Sequence, residues 1–533
     1  MSNNVQPIYI MPEDTKRTTG KTAQSNNILA AKLVAETVRT TLGPKGMDKM
    51  IVDSLGDVIV TNDGVTILRE MQIEHPAAKM VVEIAKTQEN EIGDGTTTSV
   101  VIAGELLKQA EDLLNENIHP TIITKGYRIA CQRTLDILQL IAEDVDIRNK
   151  DMIKSVASTA MTGKGAESAK DHLSDLLVEA VQSISDAKGL DRDNVKIETK
   201  VGERIENSEL IKGIVLDKEK VHPNMPLRVD EAKIALLNCP IEVKSTETDA
   251  KININDPSQF QAFLEQEEKM IRTMVDKIKA SGANVVITQK GIDELAQHFL
   301  AKENIYAIRR VRESDLNKLA KATSGKIVSK IDEISSSDLG FAGTVKEKRI
   351  NDEAMTFVQD CQNPKAVTLL IRGSTEHVIN EIKRALEDAI GVISSLMKTK
   401  KVVYGAGSCE IELSRQLRRF AQSLSGKEQL AVLAFADALE IIPKTLAENS
   451  GLDPIDIITM LKAEHDSDNK YAGVDVFSGK IVDVKQFGVV EPMTIKSQAL
   501  TSATEVATMI LRIDDVILGG KKNSPSPHMH PEM

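Results

Sequence analysis

The 533-residue chain contains no tryptophan, and aromatic residues make up only 3% of it. Its cores must therefore be assembled from Ala, Val, Ile, Leu and Met, which suits packed helices and buried strands better than a β-sandwich closed around large rings. Its four cysteines, Cys131, Cys239, Cys361 and Cys409, are scattered without a Cys-x-x-Cys pair. That excludes a disulfide framework or a cysteine zinc site and fits reduced thiols. There is no long Lys/Arg block, and the formal net charge is -12, so neither nucleic acid nor an anionic membrane surface is an expected partner. No apolar run approaches the roughly 20 residues needed to span a bilayer. The polar segment 1–24 has no apolar stretch of the signal-peptide kind, and the expected location is the cytoplasm.

What is present supports real cores: 41% of the residues are hydrophobic, and the length predicts two to four domains. The first 150 or so residues read as mainly helical, with a helix from Ile28 to Leu42 ended by Gly43-Pro44 and others at Val65–Met71, Ala77–Glu89 and Pro120–Ile141. Two short strands are expected at Met50–Asp53 and Asp57–Thr61, with Asn62-Asp63-Gly64 turning the chain into the next helix. From Lys233 to Arg372 the texture changes. Short apolar runs at 234–237, 285–287 and 367–371 alternate with helical segments, as in an inserted α/β module. Within it, 241–257 is polar and nearly coreless, and Phe260 to Ile278 forms a long amphipathic helix that either lies flat on its own domain or projects from it. Long helices return from Tyr404 to Asp515, and the Gly/Lys/Ser/Pro/His tail 519–533 is expected to be disordered.

The segment Gly93-Asp94-Gly95-Thr96-Thr97-Thr98 carries the clearest chemistry. Apolar Val100, Ala103, Leu107, Ala110 and Leu114 recur at helical spacing behind it, so the threonines fall at a helix N-terminus. Unpaired N–H groups and the positive end of the helix dipole favour a phosphate there. The two glycines let the backbone turn and approach a ligand, while Asp94 between them offers a carboxylate to Mg²⁺. An ordinary capped helix start is the alternative reading, since Asp and Thr are common caps. Gly20-Lys21-Thr22 is not a P-loop: Thr15 stands where that motif needs glycine, and no strand is expected before it.

Taken in order, Thr41-Leu42-Gly43-Pro44-Lys45-Gly46, Asn62-Asp63-Gly64, the Gly93–Thr98 segment, Gly405-Ala406-Gly407 and Val490-Glu491-Pro492 closely resemble a chaperonin. Met161-Thr162-Gly163-Lys164-Gly165, Leu511-Arg512-Ile513-Asp514-Asp515 and the insert around Asp249 to Met274 resemble the group II branch, the thermosomes and eukaryotic cytosolic chaperonins of the TCP-1 family. The likeness covers nearly the whole chain. It implies a multidomain α+β protein: a mainly helical equatorial ATP domain (1–151 and 403–533), a small intermediate hinge domain (152–219 and 372–402), and an α/β apical domain (220–371) with a helical lid protrusion at about 244–275. The long insert helix then belongs to a projecting lid.

The resemblance also implies roles. Gly43, Gly95 and Thr96, Thr97 and Thr98 would hold the phosphates of ATP or ADP, and Asp94 would bind Mg²⁺. Asp63 and Asp388 would orient or deprotonate the attacking water. Gly407 would let the backbone approach the nucleotide, Glu491 would accept a ribose hydroxyl, and Lys164 would sense the γ-phosphate. By pattern alone Asp388 is a solvated residue on the polar flank of a helix whose stripe is Ile382, Leu386, Ala389 and Ile393, and Asp63 is a turn or cap residue. The implied activity is Mg-dependent ATP hydrolysis that drives lid closure around non-native polypeptides, in stacked rings of identical or related subunits. Two alternatives are a ring scaffold or holdase without productive turnover and a small-molecule phosphotransferase. The tail departs from the Gly-Gly-Met repeats common in thermosomes, because Lys521 follows Gly519-Gly520.

Overall fold

The computed structural model describes residues 16–52, 56–165, 167–185, 189–243, 257–351, 353–362 and 364–518. The chain divides into two compact units, one formed by both ends of the chain, up to Asp144 and from Lys401, and one by Val145–Lys400.

The first unit is a helical body. The helix Thr96–Asn115 is buried on most of its faces, at Val100, Val101, Ile102, Ala103, Leu106 and Leu107 among others. A helix that is apolar nearly all round is stable only when other helices cover it. Those covering helices include Gly20–Arg39, Pro76–Glu91, Lys427–Leu439 and Met493–Leu511. Close approach depends on a missing side chain: a Cβ on Gly104 would lie 2.3 Å from the Cβ of Ala35. The rare aromatics are placed where they do most, with the Tyr127 hydroxyl donating to the Leu106 carbonyl at 2.7 Å and its ring edge-on to Phe435. The helices Pro76–Glu91 and Pro120–Ile141 open on proline, which has no N–H to leave unpaired, after His75 and His119 caps.

Several boundaries differ from those expected. The first helix runs from Gly20 to Arg39. Its first two turns bury only Ala23 and Asn27, so their pattern carried no apolar stripe to read. A strand, Lys16–Thr19, does precede Gly20-Lys21-Thr22, pairing antiparallel with Asp515–Leu518; the missing glycine at Thr15 remains the argument against a P-loop. The two short strands are Lys49–Val52 and Val58–Thr61, an antiparallel hairpin with exposed Met50, Val52, Val58 and Val60. The strands Glu143–Asp144 and Val490–Pro492 flank Lys401–Tyr404, so both chain crossings between the units begin in one small sheet.

The second unit holds a sheet in the order Tyr306–Ile308, Val285–Thr288, Arg228–Leu237, Gly340–Ile350, Glu353–Gln359, Ile214–Leu216, with Ile327–Val328 also pairing to Arg228–Leu237. Tyr306–Ile308, Val285–Thr288 and Arg228–Leu237 run parallel, as does Ile327–Val328 beside Arg228–Leu237, and the other pairings are antiparallel; the first two strands and residues 234–237 of the third are buried throughout. The apolar run 367–371, grouped by the sequence pattern with the runs 234–237 and 285–287 in one α/β module, does not pair in their sheet. It forms the strand Val367–Gly373 at the centre of a second sheet between Val195–Val201 and Glu209–Ile211. An apolar run reports burial and carries no information about its pairing partner, which explains the difference.

The helix Glu376–Thr399 buries Ile382, Leu386, Ala389 and Ile393 as its stripe predicts. In the helix Pro257–Ala280, residues 261–270 are all exposed, and only the second half packs, through Ile271, Val275 and Ile278. The segment 244–256 and the tail 519–533 lie outside the described residues. Among the described residues no helix is long and apolar enough to cross a membrane.

Candidate functional site

In the first unit, the helix Thr96–Asn115 starts from Gly95, whose φ of 79° is left-handed and which supplies no side-chain cap. Gly93 also has positive φ, at 97°. The first helical bond onto the cap runs from the Ser99 N–H to the Gly95 carbonyl, 3.0 Å, so the amides of Thr96, Thr97 and Thr98 find no acceptor within the helix. This is an open helix start with the three threonines in its first turn, where the apolar stripe placed them. Thr96 and Thr98 are buried and Thr97 half-buried.

A second helix start meets it. Asp63 caps the helix Gly64–Glu70, its Oδ2 accepting from the Thr66 N–H at 2.9 Å and hydroxyl at 2.6 Å. A Cβ on Gly64 would stand 2.5 Å from Thr97 Oγ1, so Gly64 lets the two N-termini touch. Asp63 is thus a cap, as its local pattern predicts, and also a neighbour of the threonine run.

The loop 93–95 is held from behind. Gln88 Nε2 donates to the Asp94 carbonyl at 2.9 Å and to the Ile495 carbonyl at 3.3 Å, and a Cβ on Gly95 would lie 2.7 Å from Ile495 Cγ2. The same helix start, Met493–Leu511, brings in Lys496, whose Nζ lies 2.8 Å from Glu410 Oε1 and 3.0 Å from Glu491 Oε2. Burial pushes the Glu491 carboxyl up against the opposing pull of Lys496, with Glu410 and Asp94 adding to the rise. Burial works against the Lys496 charge too, but Glu410 and Glu491 outweigh it and hold the ammonium well above the usual lysine range.

Glu491 also packs on the turn Gly405-Ala406-Gly407, where a Cβ on Gly405 would be 2.7 Å from its Oε1. Gly407, φ 78°, opens the helix Ser408–Ala421, again with no side-chain cap, and a Cβ there would meet Pro443 at 2.5 Å. Gly43, φ 87°, has Leu446 Cδ2 at 2.3 Å from where its Cβ would be. Gly407 and Gly43 are required both by a left-handed backbone angle and by the atoms packed behind them, and Gly405 by the close approach of Glu491 alone.

Asp388 and Lys164 belong to the second unit, where they are brought together: Lys164 Nζ donates to Asp388 Oδ2 at 2.6 Å, both side chains being mostly buried. Asp388 is therefore an ion-paired residue and no solvated flank, a pairing across 224 positions that helical periodicity cannot reveal.

The residues missed by the sequence reading are Gln88, Glu410, Ile495 and Lys496. A signal for two of them existed. Lys496 shares a helical stripe with Ala499, Leu500, Ala503 and Ala507, and Glu410 with Leu413, Leu417 and Ala421, all buried. A charge on an otherwise apolar stripe announces a buried partner.

The donor set suits a hard cation that brings its own ligands. Among the described residues no three His, Cys, Asp or Glu side chains converge as a metal site. One or two carboxylates beside an open helix start match Mg²⁺, which takes the rest of its shell from phosphate oxygens and water.

Residues 34–521 match the TCP-1/cpn60 chaperonin family. The chain is 59% identical to a thermosome subunit of Methanopyrus kandleri over 97% of this chain and 96% of that one. It is 58% identical to the thermosome subunit beta of Methanothermobacter thermautotrophicus, over 99% and 98%. A thermosome subunit of Methanocaldococcus jannaschii is also 58% identical, over 97% and 96%. With a family match across most of its length and relatives aligned from end to end, the chain belongs to the TCP-1/cpn60 chaperonin family.

Proposed function

We propose that this chaperonin subunit hydrolyses ATP and uses the turnover to enclose and release non-native polypeptides. The observation that carries the reading is the open start of the helix Thr96–Asn115 at left-handed Gly95, with the Asp63-capped helix touching it at Thr97. Three amides without helical acceptors, beside carboxylates at Asp63 and Asp94, suit a phosphate chain with its metal. In this reading Gly43 and Gly95 allow the backbone to approach, Thr96, Thr97 and Thr98 hold phosphate oxygens, and Gly407 and Glu491 receive the nucleoside. Mg²⁺ at Asp94 would supply charge compensation between phosphate oxygens. Asp63 and Asp388 orient the attacking water and accept its proton, and Lys164, the ion-pair partner of Asp388, reports the loss of the γ-phosphate.

The proposed domains are equatorial (1–151 and 403–533), intermediate (152–219 and 372–402) and apical (220–371), with the exposed half of the helix Pro257–Ala280 in the lid protrusion. Stacked rings are the proposed assembly. Related subunits could share one, since Methanothermobacter thermautotrophicus has thermosome subunits alpha and beta, 56% and 58% identical to this chain.

The test pairs turnover with binding. Asp388→Ala is expected to bind nucleotide normally and lose most hydrolysis, whereas Asp94→Ala loses Mg-dependent affinity itself. Wild-type turnover in Asp388→Ala would remove that residue from the mechanism, and the absence of any ATP hydrolysis by wild-type rings would defeat the enzymatic reading.

A further inference from the structure

The second unit contains a polar cavity of about 460 Å³, a volume within the range of small-molecule sites. Its floor is made by buried Leu216, Val311 and Ile390, and its walls come from the segment 192–199, the residues after the strand Ile214–Leu216, the start of the helix Glu313–Thr323, and the helix Glu376–Thr399. None of these residues belongs to the nucleotide site proposed above.

The charges around it do not cancel. Of the lining carboxylates, Glu198 and Asp315 are both taken by Lys196, at 3.2 and 3.0 Å, and the same ammonium donates to the Val215 carbonyl. Asp217 turns to Lys200, 3.1 Å away, and Glu387 faces Lys383 at 3.9 Å. Three lining cations, Lys218, Arg312 and Lys318, have no ion-pair partner among the described residues, and Asp193 is the lone unpaired carboxylate set against them. Lys218 and Arg312 are exposed, which is ordinary. Lys318 is not: it is half-buried, and desolvation pushes its ammonium below the usual lysine range, the nearby Asp315 and Asp193 compensating only in part. A cation kept partly from water without a partner is destabilised until an anion joins it.

The helix start adds neutral donors. Arg312 occupies the cap position of the helix Glu313–Thr323 but makes no side-chain cap bond, and Ser314 in the first turn lines the cavity. Neighbouring helices of this unit are closed by Asp293 and Thr375 side chains. The uncapped start thus faces the same space as the unpaired cations.

We infer that this cavity is a binding site for a small polyanion bearing two or more phosphate-type groups, held by Lys318, Arg312 and Lys218 and by the first amides of the helix Glu313–Thr323. The charged walls disfavour an apolar ligand, and the volume suits a small one.

Hydrogen exchange on the full-length protein with inorganic tripolyphosphate, in Mg-free buffer, separates this site from the nucleotide site by sequence position. Binding here protects 192–199 and 312–318; binding at the nucleotide site protects 93–98. Lys318→Met is expected to weaken protection of the first two segments by at least about tenfold in ligand concentration, the worth of one lost charged hydrogen bond, and Lys318→Arg to restore it. Protection confined to 93–98, or equal titrations of the wild type and Lys318→Met, overturns the proposal.

Discussion

The helices Thr96–Asn115 and Pro454–Asp466 both start from sharp turns in the first unit, and they are finished in opposite ways. Asp453 closes the second, its Oδ1 accepting from the Ile455 and Asp456 amides at 2.8 and 3.3 Å. Gly95 closes nothing: it bends left-handed and leaves the threonine amides pointing away from any helical acceptor. The helix Ser408–Ala421 repeats the open form at Gly407. At both open starts the glycine is pressed from behind, by Ile495 and by Pro443, so the turn cannot relax into a capped one. A side-chain cap spends its donors on stability, whereas a packed glycine keeps them available. The difference separates a helix start closed by its own side chain from one whose first amides stay open, the feature on which the proposed phosphate site rests.

Three substitutions probe that contrast. The largest effect is expected from Lys496→Met, which leaves Glu410 and Glu491 buried without their shared cation; a loss of roughly 3–5 kcal/mol should appear in thermal or denaturant unfolding. A cost under about 1 kcal/mol would mean that the network behind the open starts is not an energetic support. Gly95→Ala combines left-handed strain with a collision against Ile495, roughly 2–4 kcal/mol together, and should abolish nucleotide binding measured by calorimetry. Retained affinity there would detach the open turn from phosphate recognition. Asp453→Ala should cost about 1 kcal/mol of stability and leave nucleotide affinity untouched. If affinity fell with it, the division between the two kinds of helix start would collapse.

Much of the site was legible because its pieces are local. Gly93–Thr98 announces a turn into a helix, and the apolar spacing behind it placed the threonines in the first turn. The stripe Ile382, Leu386, Ala389 and Ile393 located a helix with Asp388 off its buried face. The Asp388–Lys164 pair was not legible, since ion pairs across 224 positions leave no periodic trace. The run 367–371 was legible as an apolar run of the α/β module, but its pairing with Val195–Val201 and Glu209–Ile211 was not, because pairing depends on what lies alongside. The first two turns of the Gly20–Arg39 helix escaped notice for want of apolar residues.

The amino-acid sequence by itself determined the apolar stripes of the helices, the glycine turn that opens the helix at Thr96, and the family likeness, since these depend on dihedral preferences and side-chain spacing within a few residues. Only the tertiary structure decided that Gln88 would bind the carbonyls of Asp94 and of Ile495, 407 residues away, and that Lys496 would join Glu410 to Glu491. It likewise left Lys318 half-buried beside a polar cavity, with no ion-pair partner among the described residues. Burial strips water from these groups and makes their partners matter, and burial is a property of the packed chain.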